Sequence, residues 1–189
     1  MSKLICSVRE RNFPFLFIAL FLFAVFSFDI VEARGQEEGK GKILDLVYTV
    51  QDLKGTTQNL QVKETKTEVK IELPGDILFD FDKWDIRPDA EPTLQKVADI
   101  INQYPKSRIL VEGHTDSKGT HPYNVRLSQK RADSVKDWLV EKGGIGASRI
   151  STRGWAETKP VAPNVNQDGS DNPEGRQKNR RVEITIKKK

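Results

Sequence analysis

The chain has 189 residues, with 31 lysines and arginines against 27 aspartates and glutamates and a formal net charge of +4. This length is enough for one domain with extensions and for a buried core. The basic excess is mild and the lysines at 187–189 supply most of it, so the charge gives little support to nucleic acid as a partner.

Residues 1–33 follow the order of a secretory signal. Arg9 and Arg11 precede an apolar run from Phe13 to Phe28, and the small residue Ala33 offers a cleavage site. The run is short for a membrane span, which needs about 20 apolar residues. We therefore predict a cleaved signal peptide, with an uncleaved inner-membrane anchor as the alternative. Both interpretations predict export, to the periplasm or in association with the outer membrane, and export excludes most nucleic-acid partners.

Residues 34–68 are predicted to form a linker and an N-terminal β extension. The first part, 34–42, is charged and glycine-rich and has no apolar period. Apolar residues alternate over 43–53, which favours a strand, although a helix face also fits; we predict a strand. Alternation over 60–62 and 69–73 around a polar link predicts a β-hairpin with one solvated face.

The next segment reads as a strand and a helix. After the turn at 74–76, the run from Ile77 to Phe81 is predicted to be a strand. A helix is predicted to follow residues 87–89 and to end at Tyr104-Pro105. Its core stripe consists of Leu94, Val97, Ala98 and Ile101.

The central unit is a buried strand over 109–111 followed by a helix that Asn124 is predicted to cap. Leu127, Val135 and Leu139 form its apolar stripe, and Arg131 lies on the same stripe at a spacing of four residues. Asp116 lies where the strand ends. Asp116 and Arg131 can therefore meet at one rim of the sheet. An aspartate binds an ammonium and an arginine fork binds a carboxylate, so the pair suits an amino-acid zwitterion.

The C-terminal third is predicted to hold two strands and a loop. Residues 150–156 read as a strand, and the polar stretch 159–178 reads as a surface loop. In the last strand, Val182, Ile184 and Ile186 are predicted to point inward and Arg181, Glu183 and Thr185 outward. Arg180 has the parity of Val182, which directs it to the rim of the sheet.

From residue 69 the element order β-α-β-α-β-β predicts an α+β two-layer sandwich. One mixed sheet would carry helices on one face, preceded by the short β-hairpin extension, and each strand–helix–strand crossover would make its two strands parallel. The predicted domain covers residues 69–189.

Three separated motif blocks resemble those of the OmpA-like C-terminal domain, a family that includes the Pal lipoproteins and the stator protein MotB. The first is Phe79-Asp80-Phe81-Asp82-Lys83 followed by Ile86. The second is Gly113-His114-Thr115-Asp116 with Asn124, Leu127, Ser128, Arg131, Ala132, Val135 and Leu139. The third is Asn179-Arg180-Arg181-Val182. The blocks stand in family order and the resemblance covers roughly residues 70–187.

This resemblance implies non-catalytic binding of peptidoglycan in the cell envelope, through the diaminopimelate of the stem peptide. In the family, the residue at the position of Asp116 binds the ammonium and the residue at the position of Arg131 binds the carboxylate. The structural alternative for this pair is a simple ion pair. The implied ligand-binding set is Asp116, Arg131, Thr115, Asn124, the backbone at Phe81 and Asp82, and Arg180 as a peripheral contact.

An exported cell-wall hydrolase is the alternative function. Apart from Cys6, which lies within the predicted signal, the chain offers His114 and His121 and contains neither HExxH nor Gly-x-Ser-x-Gly. His114 is predicted to support its turn by hydrogen bonding. We expect no catalysis, no cofactor and no metal. The expected partners are peptidoglycan and, as a further class, other envelope proteins.

Overall fold

The structure, a computed structural model, describes residues 44–51 and 57–189. The predicted signal peptide or anchor and the linker at 34–42 lie outside these residues and stay predictions. Within the described part of the chain, no helix is both long enough and apolar enough to cross a membrane.

Six strands form one mixed sheet in the order β1-β2-β3-β6-β4-β5. The strands are β1 (Leu44–Gln51), β2 (Thr57–Glu64), β3 (Glu68–Pro74), β4 (Arg108–Gly113), β5 (Ile150–Gly154) and β6 (Arg181–Lys187). Only β4 and β5 are parallel neighbours among these strands; β6 is antiparallel to both β3 and β4. The strands β3, β4 and β5 therefore share one direction, as the two predicted crossovers require. The predicted strand at 43–53 and the β2–β3 hairpin are both confirmed.

The helices are α1 (Gly75–Leu78), α2 (Glu91–Asn102), α3 (His121–Glu141) and α4 (Pro173–Asn179), with short 3-10 turns at Pro88–Ala90 and Ala147–Arg149. The helices α2 and α3 are the two crossovers, and their buried stripes pack with the sheet in one hydrophobic core. The predicted α+β fold class is confirmed. Since β1 and β2 extend the same sheet, the predicted extension is continuous with the domain; its boundary at residue 69 stays a prediction.

The predicted strand at 77–81 is wrong. The chain instead turns through α1 and then runs as an irregular loop. Leu78 and Phe79 are both buried while Phe81 is 95% exposed, a pattern that strand alternation cannot produce. The turn is fixed from a distance, because the Gly75 N–H donates to the Arg180 carbonyl oxygen at 2.7 Å.

The predicted start of α3 at Asn124 is also wrong. The helix begins three residues earlier, at His121, with Pro122 in its first turn, where the fixed φ of proline favours a helix. Asn124 lies inside the helix and is buried. Its side chain is therefore available for contacts at the rim of the sheet.

The predicted loop at 159–178 contains the helix α4, so this prediction is wrong in part. Asn172 caps α4, since its side chain accepts from the Gly175 N–H at 2.9 Å. The segment before the helix is held by buried Asn179, whose Oδ1 accepts from the N–H groups of Val161 and Ala162 at 2.8 and 3.1 Å. The segment is thus held to the rest of the domain by side-chain hydrogen bonds.

Strand β6 is buried on both faces. Val182, Ile184 and Ile186 belong to the core as predicted. Arg181 and Glu183 point to the other face but are also buried, and the Arg181 Nε donates to Glu183 Oε1 at 2.8 Å. These side chains point away from the core as predicted, but they are not exposed to solvent, because β6 is a central strand with β3 and β4 on its two sides.

Candidate functional site

The candidate site lies at the rim of the sheet where β4 ends and β6 begins. These strands are antiparallel neighbours with Gly113 opposite Val182. The residues just after β4 and just before β6 must therefore meet, and Asp116 and Arg180 do so: Arg180 Nη1 donates to Asp116 Oδ2 at 2.8 Å. The predicted approach of Arg180 to the rim is confirmed.

The Asp116 carboxylate is buried, with 8% of the residue exposed. Its Oδ1 accepts from the Lys118 N–H at 2.9 Å, and Arg176 Nε lies 3.9 Å from Oδ2. A carboxylate offers about four acceptor positions. Two strong hydrogen bonds therefore leave capacity for a further donor such as an ammonium.

Arg131 is equally buried, with 6% of the residue exposed. Its Nε donates to the Lys83 carbonyl oxygen at 2.9 Å, and its guanidinium stacks on the Phe79 ring with 5.1 Å to the centroid. Burial lowers the pKa of Arg131. Among residues 44–51 and 57–189 no carboxylate forms an ion pair with it. The guanidinium is thus oriented by neutral partners and keeps donors for an anion.

The simple Asp116–Arg131 ion pair is not present, since each residue has other partners. The two residues nevertheless belong to one electrostatic cluster. The charge on Asp76 raises the pKa of Arg131 and the charge on Arg180 lowers it. Arg180 also contacts Asp116 directly.

Thr115 and Asn124 flank Asp116. The Thr115 backbone N–H donates to the Ala156 carbonyl oxygen at 2.9 Å, while its buried Oγ1 has no hydrogen-bond partner among the described residues. Asn124 Nδ2 donates to the Asp116 carbonyl oxygen at 3.4 Å and to Glu157 Oε2 at 3.0 Å. Asn124 therefore holds the backbone that carries the aspartate.

Phe81 and Asp82 form the tip of the loop that supports Arg131. The Phe81 side chain projects away from the protein, and Asp82 has a φ of 61°, in the left-handed region that is uncommon for residues other than glycine. The Tyr123 hydroxyl of α3 donates to Asp82 Oδ1 and holds this conformation. The predicted role of the Phe81 and Asp82 backbone towards a ligand stays a prediction.

The predicted hydrogen bonding by the His114 side chain is wrong. The residue is 2% exposed, and neither ring nitrogen has a hydrogen-bond partner among the described residues. Burial, followed by the charge on Arg181, lowers its pKa to about 4. The ring lies 4.0 Å from the Glu183 carboxylate. The turn is held by the His114 backbone N–H, which donates to the Arg181 carbonyl oxygen at 3.0 Å.

Three residues of the site were not predicted from the sequence: Asp76, Glu157 and Arg176. Asp76 accepts two hydrogen bonds from Arg180, and Arg176 lies beside Asp116. A signal existed for Arg176: it is four residues before Arg180, and a helix through 173–179 would have put both on one face. No local signal links Asp76 to Arg180.

The rim thus carries a buried carboxylate, on Asp116, and a buried guanidinium without a carboxylate partner among the described residues, on Arg131. Residues 78–180, more than half of the chain, match the OmpA family. The chain belongs to the OmpA family, as its motifs indicated.

Similar proteins come from several bacterial envelopes. Outer membrane porin F of Pseudomonas aeruginosa is 41% identical over 118 residues, which are 62% of this chain and 31% of that protein. The peptidoglycan-associated lipoprotein of Mesorhizobium japonicum is 44% identical over 86 residues, which are 46% of this chain and 51% of the lipoprotein. The chain thus spans about half or less of these relatives.

Two solved structures resemble the fold. The cell wall anchor of the T6SS from Pseudomonas aeruginosa has a TM-score of 0.59 at 34% identity, covering 69% of this chain and 88% of the anchor. The periplasmic domain of Helicobacter pylori MotB has a TM-score of 0.58 at 28% identity, covering 68% and 79%. The predicted location in the periplasm, in association with the outer membrane, is confirmed by these relatives.

Proposed function

We propose that the protein binds peptidoglycan without catalysis, through the diaminopimelate of the stem peptide, and so links the envelope to the cell wall. The observation that carries this proposal is the buried Arg131 guanidinium, which has no carboxylate partner among the described residues and lies in one charge cluster with Asp116. A buried cation needs an anion to offset its desolvation, and a ligand carboxylate supplies one.

The proposed ligand carries its ammonium and carboxylate on the same carbon. The ammonium takes a free acceptor position on Asp116 and the carboxylate takes the Arg131 fork. Thr115 Oγ1, a buried hydroxyl without a partner in the described structure, offers a further hydrogen bond. Names of relatives support the polymer: one is a peptidoglycan-associated lipoprotein and another a cell wall anchor.

A hydrolase would need a group that attacks or activates water. His114 is buried, and His121 is exposed and paired with Glu157 through Nδ1 at 2.7 Å. The described residues contain no cluster of histidine, cysteine and carboxylate side chains suited to a metal ion. Neither histidine stands beside Asp116 in a hydrogen bond, so the rim is better suited to binding than to hydrolysis.

The test is co-sedimentation with purified diaminopimelate-containing sacculi. Asp116→Ala or Arg131→Ala leaves one ligand charge unpaired in a buried position, which costs on the order of 2–5 kcal/mol. Retention should fall below detection for both. Arg131→Lys should also lose most retention, because a point charge cannot reproduce the bidentate fork.

The matched control is Arg108→Ala, which removes an exposed arginine at the opposite end of β4 and should sediment like the parent. Free meso-diaminopimelate should release the parent from sacculi, whereas cadaverine, which has the ammonium groups without the carboxylates, should not. If folded Asp116→Ala and Arg131→Ala still sediment normally, the site is elsewhere.

A further inference from the structure

In addition to Arg131, the site contains two further arginines, Arg180 and Arg176, which lie beside Asp116. Arg180 binds Asp116, but it is held more extensively by Asp76: Arg180 Nε and Nη2 donate to the two carboxylate oxygens of Asp76 at 3.1 and 3.0 Å. This bidentate geometry is the strong form of an arginine–carboxylate pair. The hydrogen bond to Asp76 is also the main cause of the raised pKa of Arg180.

The backbone fixes the same pair. The Gly75 N–H donates to the Arg180 carbonyl oxygen, and a Cβ at Gly75 would lie 2.9 Å from that oxygen. Asp76 follows directly in α1, so its carboxylate is held beside the Arg180 side chain. With Nε and Nη2 committed to Asp76, Arg180 presents only Nη1 to Asp116.

Arg176 is neutralised in a similar way. Its Nη1 donates to Asp171, whose carboxylate lies 3.6 Å from Lys118 Nζ. With these two arginines matched by Asp76 and Asp171, the buried charges that remain for a ligand are one negative, on Asp116, and one positive, on Arg131; Lys118 and Asp82 are exposed to solvent. That balance is the complement of a zwitterion.

We propose that Asp76 is a specificity-determining residue: by neutralising Arg180, it makes the rim select a zwitterionic centre over a simple carboxylate. The inference rests on the proposed function. Without the Asp76 charge, Arg180 Nε and Nη2 would lose their acceptors, while Nη1 would still donate to Asp116. The rim would then hold two positive charges against one negative, which attracts a carboxylate more strongly and repels an ammonium.

The test uses the full protein bound to diaminopimelate-containing sacculi and two soluble competitors. One is meso-diaminopimelate and the other is pimelate, the same seven-carbon dicarboxylate without ammonium groups. The quantity measured is the ratio of their half-maximal release concentrations. For the parent, pimelate should be much the weaker competitor.

In Asp76→Asn the advantage of diaminopimelate over pimelate should fall about tenfold, mainly because pimelate competes better. Asp76→Glu, which keeps the charge, should restore most of the selectivity. The matched control is Asp89→Asn, because Arg87 binds Asp89 with the same two-pronged geometry at 2.9 and 2.7 Å on an exposed turn. This control should keep the parent ratio.

The outcomes are distinguishable. If free diaminopimelate does not release the folded parent, the proposed diaminopimelate site itself is wrong. If it does release the parent but Asp76→Asn keeps the parent ratio, the role of Asp76 is overturned. If folded Asp76→Asn is no longer retained by sacculi at all, Asp76 is needed for binding rather than for selectivity, and the inference is again overturned.

Discussion

Replacing the buried histidine that follows β4 should change how stability depends on pH. His114 has a pKa of about 4 in the fold, against 6.5 when unperturbed, chiefly because burial disfavours its charged form. Between these values the unfolded chain binds a proton that the folded chain does not. The free energy of unfolding therefore falls as the pH falls from about 6.5 to about 4.

The size of the effect follows from the two pKa values. A difference of about 2.5 at 1.36 kcal/mol each gives an upper bound of about 3 kcal/mol, and we expect about 2 kcal/mol after allowance for solvent screening. His114→Phe removes the titration. Because the two ring nitrogens have no partners in the described structure, the replacement sacrifices no hydrogen bond.

The assay is urea unfolding at pH 7 and pH 4, followed by tryptophan fluorescence. Between these conditions the parent should lose about 2 kcal/mol more than His114→Phe. The control is His121→Phe at an exposed position, which should follow the parent within about 1 kcal/mol. Equal losses in the parent and in His114→Phe would show that the buried ring does not carry the pH dependence.

Three further changes test the packing. Asn179→Ala breaks the hydrogen bonds to the backbone of Val161 and Ala162 at a fully buried position. It should cost about 2–4 kcal/mol in thermal unfolding, and a loss below about 1 kcal/mol would show that this segment is weakly held. Gly113→Ala places a Cβ 2.1 Å from a carbonyl oxygen of α3 and should cost about 3 kcal/mol, whereas Gly146→Ala, with nothing nearer than 3.9 Å, should cost far less. Phe81→Ser at a 95% exposed position should change stability by less than about 0.5 kcal/mol and leave sacculus retention intact; lost retention would give the ring itself a role.

Much of the fold was predictable because the core elements have clear periods. The stripe of α2 and the alternation in β2, β3 and β6 put their apolar residues in the core as expected. The turn α1 was not predictable in this way. Its sequence alternates like a strand, and the hydrogen bond that decides its shape comes from Arg180, more than a hundred residues away.

Helix α4 was not predicted for a different reason. Asn172-Pro173 is a good capping pair with proline in the first turn, but it lies in a polar stretch whose composition favoured a loop. The helix has little apolar surface to give a period, and its buried anchor is a polar side chain, Asn179. Periodicity therefore had nothing to detect, and only the local capping signal was available.

For the site, the sequence placed Asp116 and Arg131 at a common rim but could not supply their partners. Lys83 contributes a backbone carbonyl oxygen, which carries no residue-type signal. Asp76 contributes a side chain from the start of α1, where the sequence predicted only a turn leading into a strand. Such contacts depend on the packed arrangement of α1 and α3, which no short stretch of sequence specifies.

The position of β6 between β3 and β4 has a consequence for how the chain reaches its fold. The segment Arg181–Lys187 is the last described strand in sequence and the central partner of the two strands that flank it. Until it is available, β3 and β4 have no hydrogen-bonded connection to each other in this sheet. Pairing over such sequence distances is slow, and this sheet can be completed only after residue 187 has been synthesised. The sheet is therefore completed by the last of the described strands rather than built up from the N-terminal side.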